Sequence, residues 1–167
     1  VRVPDDVEHK LHLPLLGVIP KAHNRDPDHD LLNPKSPVSE AYNSLRGALL
    51  YSTVSGMPRI MLVTSAEQSE GKTTTSYATA TALARIGRKV VLIDADLRRP
   101  SVHWRIGYSN ERGLTSLLTS TDAVETALQP ATQDQLFLLP SGPLPPSPTE
   151  LLSSVRMAQL IAELSGR

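Results

Sequence analysis

Six consecutive residues, Ser69-Glu70-Gly71-Lys72-Thr73-Thr74, combine the groups that hold a phosphate ester. Gly71 lets the backbone approach an oxygen closely, Lys72 brings a point charge to β- and γ-phosphates, and the Thr73 hydroxyl is a hard-oxygen ligand for Mg2+. The longer stretch Ala66-Glu67-Gln68-Ser69-Glu70-Gly71-Lys72-Thr73 has the form GxxxxGK[ST], with alanine replacing the first glycine. Further along, Asp94-Ala95-Asp96 sets two carboxylates two residues apart, so an extended chain points both to one side. One can hold Mg2+, directly or through water, while the other takes a proton. Alone, either stretch also reads as an ordinary polar loop or a solvated strand end; together they favour a phosphate site.

Such chemistry depends on the elements that carry the residues. RIMLVT (59–64) reads as a strand leading into the loop, and a helix follows from about Lys72 to Ile86, with Gly87 as its C-cap. KVVLID (89–94) is a near-continuous apolar strand of the kind buried on both faces of a parallel sheet. It delivers Asp94 and Asp96 at its carboxyl end, where open α/β sheets bind ligands. Upstream, Pro4-Asp5-Asp6 suits a helix start, LLGVI (15–19) a short buried strand, and the proline-rich residues 20–37 a long surface loop. Ser36 can cap and Pro37 open a helix that gathers Val38, Ala41, Tyr42, Leu45, Ala48 and Leu49 on one face, which makes Tyr42 a core residue. Downstream, short helices are expected at 113–119 and 122–129 and a strand at LFLLP (136–140). Ser147, Pro148 and Glu150 suit a capping box for a final helix through Leu164. Strands alternating with helices, without internal repeats, imply an α/β domain whose mostly parallel sheet is flanked by helices.

Bulk properties remove several function classes. Lys plus Arg equals Asp plus Glu, 17 each, and aromatics are 4%, so the basic, aromatic-lined footprint of a nucleic-acid binder is missing. Without cysteine there is neither a disulfide nor a thiolate metal site. No apolar run approaches the roughly 18 residues of a membrane span. His9 and His12 lie near one another on a helix without an evident third ligand, and His23 and His29 sit in an acidic loop; all read as solvated. Trp104, in HWRIG, reads as a packing residue. The start at Val1 suggests a piece of a longer chain.

VVLIDADLRRPSVH resembles the Walker A′ motif of bacterial tyrosine kinases (BY-kinases), the cytoplasmic domains of polysaccharide co-polymerases. The resemblance extends along nearly the whole chain. PDDVEHKLHLPLLGVIP is similar to the segment after the second transmembrane helix of the membrane-adaptor part, SEAYNSLRGALL to the helix before the nucleotide domain, and SGPLPPSPTELLSS to a proline-rich segment specific to the family. It implies a P-loop NTPase fold of the MinD/ParA-like class, with residues 1–37 a juxtamembrane-type segment and 38–167 a partial nucleotide-binding domain.

By the same resemblance the cofactors are ATP and Mg2+. Ser69 through Thr74 would bind the nucleotide, Lys72 holding the phosphates. Thr73 and Asp96 would hold the metal, and Asp94 would accept the tyrosine proton. The implied activity is tyrosine autophosphorylation that controls capsular or exopolysaccharide polymerisation and export, at the cytoplasmic face of the bacterial inner membrane, beside a transmembrane adaptor part or subunit. The family's Glu-x-x-Arg-x-x-Arg association motif is present as Glu40, Asn43 and Arg46, so that Asn43 weakens the implied homo-oligomer. Gln68-Ser69 replaces the common Pro-Gly. A Walker B strand and a tyrosine-rich tail do not occur among these residues, and the segment alone is expected to be inactive. Two alternatives remain: a non-catalytic nucleotide-binding regulatory module of the same machinery, and a MinD/ParA-type ATPase. Ala66-Glu67-Gln68, where the latter group carries an early second lysine, counts against it.

Overall fold

The computed structural model describes residues 3–21, 30–31, 33–54, 56–105 and 107–166. Two compact units divide the chain, Val1–Gln68 and Ser69–Arg167.

In the first unit, helix α1 (Asp5–Leu11) carries Asp5, Asp6 and Glu8 in its first turn and His9 and Lys10 in its last, the arrangement that complements the helix dipole. It begins one residue after Pro4, and His12 ends it with a φ of 53°. His9 Nδ1 lies 2.9 Å from the Asp5 carbonyl oxygen, so its ring serves its own helix. His23 and His29 fall outside the described residues. Helix α2 (Pro37–Leu50) opens as its sequence requires: Ser36 Oγ accepts the Ser39 amide at 3.0 Å, Pro37 takes the first helical position, and Val38 and Tyr42 are buried. The Ser36 hydroxyl donates to the Asp30 carbonyl at 2.6 Å, tying the end of the preceding loop to the cap.

Two expected strands are not formed. Residues 15–19 have no regular structure, and Gly17 instead faces Leu45 of α2, whose side chain would lie 3.8 Å from an added Cβ. Residues 59–64 join no ladder, and Leu62 is 86% exposed. An apolar run states what a segment can bury; it becomes a strand only where a neighbour takes its amides and carbonyls, and none does so here among the described residues.

The second unit contains α3 (Lys72–Ala84), β1 (Val90–Ile93), α4 (Val102–Arg105), α5 (Leu114–Thr119), a 3-10 turn (Val124–Thr126), β2 (Gln129–Pro130), β3 (Leu136–Leu139), α6 (Pro148–Leu152) and α7 (Val155–Gly166). The sheet order is β1-β3-β2. β1 and β3 run parallel, Val90 opposite Leu136 through Ile93 opposite Leu139, whereas β2 pairs antiparallel to β3. The sheet is therefore small and mixed, its longer ladder parallel and its shorter one antiparallel. Ala80 and Ala84 of α3 pack with Leu136, and their small size lets the helix lie close to the strands. A larger core joins Leu97, Leu114, Leu117, Leu139 and Leu160. Gly87, at a φ of 80°, closes α3: its amide bonds to the Ala84 carbonyl and the Arg88 amide to that of Leu83, a Schellman end.

Three local expectations need correction. The helix expected at 122–129 shrinks to one 3-10 turn, because Gln129 and Pro130 are drawn into pairing with Leu138 and Phe137. The final helix is broken at Ser153–Ser154. Ser147 makes no side-chain cap; Ser153 Oγ bonds back to the Thr149 carbonyl at 2.7 Å, and Ser154 Oγ caps α7 by accepting the Met157 amide at 3.1 Å. Trp104 is 67% exposed and so is no core residue.

Candidate active site

Helix α3 brings the first half of the site into being. Gly71 precedes it with a φ of 88°, a conformation that costs a residue with Cβ of order 1–2 kcal/mol, and nothing lies within 4 Å of where its Cβ would be. The first intrahelical bond runs from the Thr75 amide to the Gly71 carbonyl at 2.8 Å. The amides of Thr73 and Thr74 consequently lie in the turn that has no intrahelical acceptor, at the positive end of the helix dipole. Ser69, itself at a φ of 63°, and Glu70 are exposed, Lys72 and Thr73 are half-buried, and Thr74 is buried.

Strand β1 supplies the second half. Beyond Ile93 the ladder continues for one bond, the Asp94 amide to the Leu139 carbonyl at 2.9 Å, which fixes Asp94 at the strand's carboxyl end. Asp94 is 5% exposed. Its Oδ2 accepts the amides of Ser101 and Val102, both at 3.0 Å, and its Oδ1 the amide of Asp96 at 3.2 Å. Those bonds engage three of the roughly four lone-pair positions of a carboxylate. Asp96 is exposed, and its Oδ1 takes the amides of Arg98 at 3.3 Å and Arg99 at 3.0 Å, tying it to its own loop.

The halves meet through a residue that spacing does not reveal. Thr73 Oγ1 lies 2.7 Å from Ser101 Oγ, and the Ser101 amide is one of those on Asp94. Thr73 and Asp94 are thus one residue apart in a continuous network.

The oxygen donors at this end of the sheet, Thr73 Oγ1 and the carboxylates of Asp94 and Asp96, suit a hard cation such as Mg2+. Among the described residues no three His, Cys, Asp or Glu side chains gather to cage a metal.

A second network anchors the proline-rich segment. Asn110 Oδ1 accepts the Gly142 amide at 2.8 Å and the Ser141 hydroxyl at 3.2 Å, while its Nδ2 donates to the Gly142 carbonyl at 3.1 Å. The amides of Leu114 and Thr115 bond to the carbonyls of Pro140 and Ser141 at 2.7 and 2.8 Å. The strand whose last carbonyl fixes the Asp94 amide is therefore locked just beyond its end by the start of α5. Asn110 stands in no motif or periodic pattern, and Ser101, although it lies within VVLIDADLRRPSVH, has no role that its spacing names, so only the fold discloses what the two residues touch.

Comparisons with known proteins give the family and the fold. Residues 61–166 match the model of the CobQ/CobB/MinD/ParA nucleotide binding domain. Tyrosine-protein kinase YwqD of Bacillus subtilis (strain 168) is 42% identical over 133 residues, 80% of this chain and 56% of the relative. The chain thus spans little more than half the length of that curated relative. The kinase domain of Escherichia coli tyrosine kinase ETK superposes with a TM-score of 0.88 at 28% identity, covering 99% of this chain and 69% of that one. The chimerical protein CapA2B2 gives 0.82 at 32% identity, covering 97% and 70%. No described helix is long and apolar enough to cross a membrane. The chain belongs to the CobQ/CobB/MinD/ParA nucleotide-binding domain family, and its relatives are bacterial tyrosine-protein kinases.

Proposed function

We propose that this chain is the nucleotide-binding part of a tyrosine autokinase that takes ATP and Mg2+. The observation that carries the reading is the joining of Thr73, at the start of α3, to Asp94, at the end of β1, through Ser101. Residues 38–167 form the nucleotide-binding part in this reading and 1–37 the segment leading to it.

The geometry and the family resemblance support a role for each residue. Gly71, open on its Cβ side, lets phosphate oxygens reach the amides of Thr73 and Thr74. Ser69 and Glu70 shape the turn, and Lys72 adds a point charge. Thr73 Oγ1 and Asp96 would hold Mg2+, which when bound would offset charge on the phosphate oxygens. Asp94, with one lone-pair position not taken by an amide, accepts the proton of a tyrosine hydroxyl. The tyrosine oxygen bonds to the γ-phosphorus as the bond to the bridging oxygen breaks, and that electron pair leaves on ADP.

Similarity to kinases of polysaccharide co-polymerases supports a place in capsular or exopolysaccharide export, beside a transmembrane adaptor at the cytoplasmic face of the inner membrane. Association between copies would use Glu40, which is exposed, and Arg46, whose Nη1 donates to Asn43 at 3.3 Å.

Calorimetry of the full chain with ADP, with and without Mg2+, tests the binding reading. Mg2+-dependent binding is expected; no binding in either condition would overturn it.

A further inference from the structure

We infer that Ser101 is a positioning residue for the metal-ligating hydroxyl of Thr73, an inference that rests on the nucleotide-binding reading above. A threonine hydroxyl has one hydrogen and two lone pairs, and its hydrogen rotates freely unless an acceptor fixes it. The acceptor here is Ser101 Oγ, 2.7 Å from Thr73 Oγ1 and half-buried. While either oxygen can donate in the free protein, a cation on Thr73 Oγ1 leaves one direction only. The lone pair then belongs to the metal, so Thr73 donates its hydrogen to Ser101. Ser101 thereby turns the hydrogen away and leaves the lone pair facing the cation.

The position of Ser101 is itself fixed. Its amide and that of Val102 both donate to Asp94 Oδ2 at 3.0 Å, and Val102 is buried. Pro100 precedes it, which limits the backbone freedom of the turn. A serine held by a buried carboxylate and aimed at a hydroxyl 28 residues away is a built contact rather than a surface accident. Its effect belongs to the metal and not to the phosphates, which separates it from Lys72.

The test is calorimetric titration of the full chain with ADP, in Mg2+ and in EDTA, for the wild type, Ser101→Ala, Ser101→Thr and Thr73→Val. Removing the acceptor leaves Thr73 in place with its hydrogen unguided, so Ser101→Ala should lose about three- to tenfold in affinity with Mg2+, the range of one neutral hydrogen bond. In EDTA its affinity should match the wild type. Ser101→Thr, which keeps the hydroxyl, should restore the Mg2+ effect, and Ser101→Ala should add no loss to Thr73→Val. An equal loss with and without Mg2+ would reduce Ser101 to a structural residue and overturn the inference, as would an unchanged Mg2+ effect in Ser101→Ala. Wild-type binding indifferent to Mg2+ would overturn the metal reading along with the inference, whereas an unchanged Ser101→Ala beside a Mg2+-dependent wild type overturns the inference alone and leaves that reading standing.

Discussion

The Asp94 carboxylate grips the chain at Ser101, seven residues on, through a 3.0 Å hydrogen bond from the Ser101 amide. With the amides of Val102 and Asp96 also on it, the carboxylate shapes the turn and, in the proposed reading, also takes the tyrosine proton. This double duty sets what substitution does. Asparagine has one oxygen, so its amide nitrogen must confront either the Asp96 amide or the Ser101–Val102 pair, donor against donor. Asp94→Asn should therefore lower stability by about 1–3 kcal/mol, as well as remove the proposed proton acceptor. Urea denaturation reads the first effect. Unchanged stability would mean that the amide network does not hold the turn.

Asp96→Asn should behave differently. Both amides on Asp96, from Arg98 and Arg99, go to Oδ1, and an amide oxygen can still accept them. Stability should change by no more than about 0.5 kcal/mol. The Mg2+ dependence of ADP binding should weaken several-fold, because an amide is a poorer ligand than a carboxylate for a hard cation. Should calorimetry give the variant the wild-type Mg2+ dependence, Asp96 is not a metal ligand.

Lys72→Met removes a charge-assisted contact of about 1.5–3 kcal/mol, so ADP affinity should fall roughly ten- to a hundredfold. The residue lies in the first turn of α3, with a half-buried side chain, and methionine is a good helix former, so the helix should persist. Circular dichroism checks the helix and calorimetry the affinity. Equal affinities for wild type and variant would remove Lys72 from the site.

What the sequence disclosed and what it hid divide along the range of the interactions involved. The Ser36 cap with Pro37, the Gly87 end of α3 and the apolar runs of β1 and β3 are local signals, and each formed the element it announces. The candidate phosphate-loop residues and Asp94 stand in short stretches, so the sequence alone was enough to propose them. Residues 59–64 misled because apolarity does not name a pairing neighbour, and Ser153–Ser154 because serine hydroxyls that bond to nearby backbone can break a helix whose apolar pattern continues. Ser101 and Asn110 act on partners 28 and 32 residues distant, across elements whose order no short motif encodes.

Two glycines give the last prediction, because the fold needs them for opposite reasons. Gly113 has an extended backbone, φ −177°, which any residue can adopt, but an added Cβ would lie 2.2 Å from the Pro140 carbonyl oxygen and 2.3 Å from the Gly142 amide nitrogen. Those are backbone atoms, locked by Asn110 and by the amides of Leu114 and Thr115, so they cannot swing aside as a side chain would. Gly71 has open space around its Cβ position and a φ of 88°. Gly113→Ala should therefore cost about 2–3 kcal/mol by overpacking, even though Gly→Ala at a compatible position usually stabilises slightly by restricting the unfolded chain. Gly71→Ala should cost about 1–2 kcal/mol from backbone strain alone. Its new methyl group would stand where the proposed phosphate approaches, so ADP affinity should drop in Gly71→Ala, whereas the folded fraction of Gly113→Ala should bind normally. Denaturation curves and calorimetry on the two variants give four numbers. A stabilised Gly113→Ala would show that α5 and the segment after β3 are not in backbone contact, and normal ADP affinity in Gly71→Ala would move the phosphate away from the start of α3.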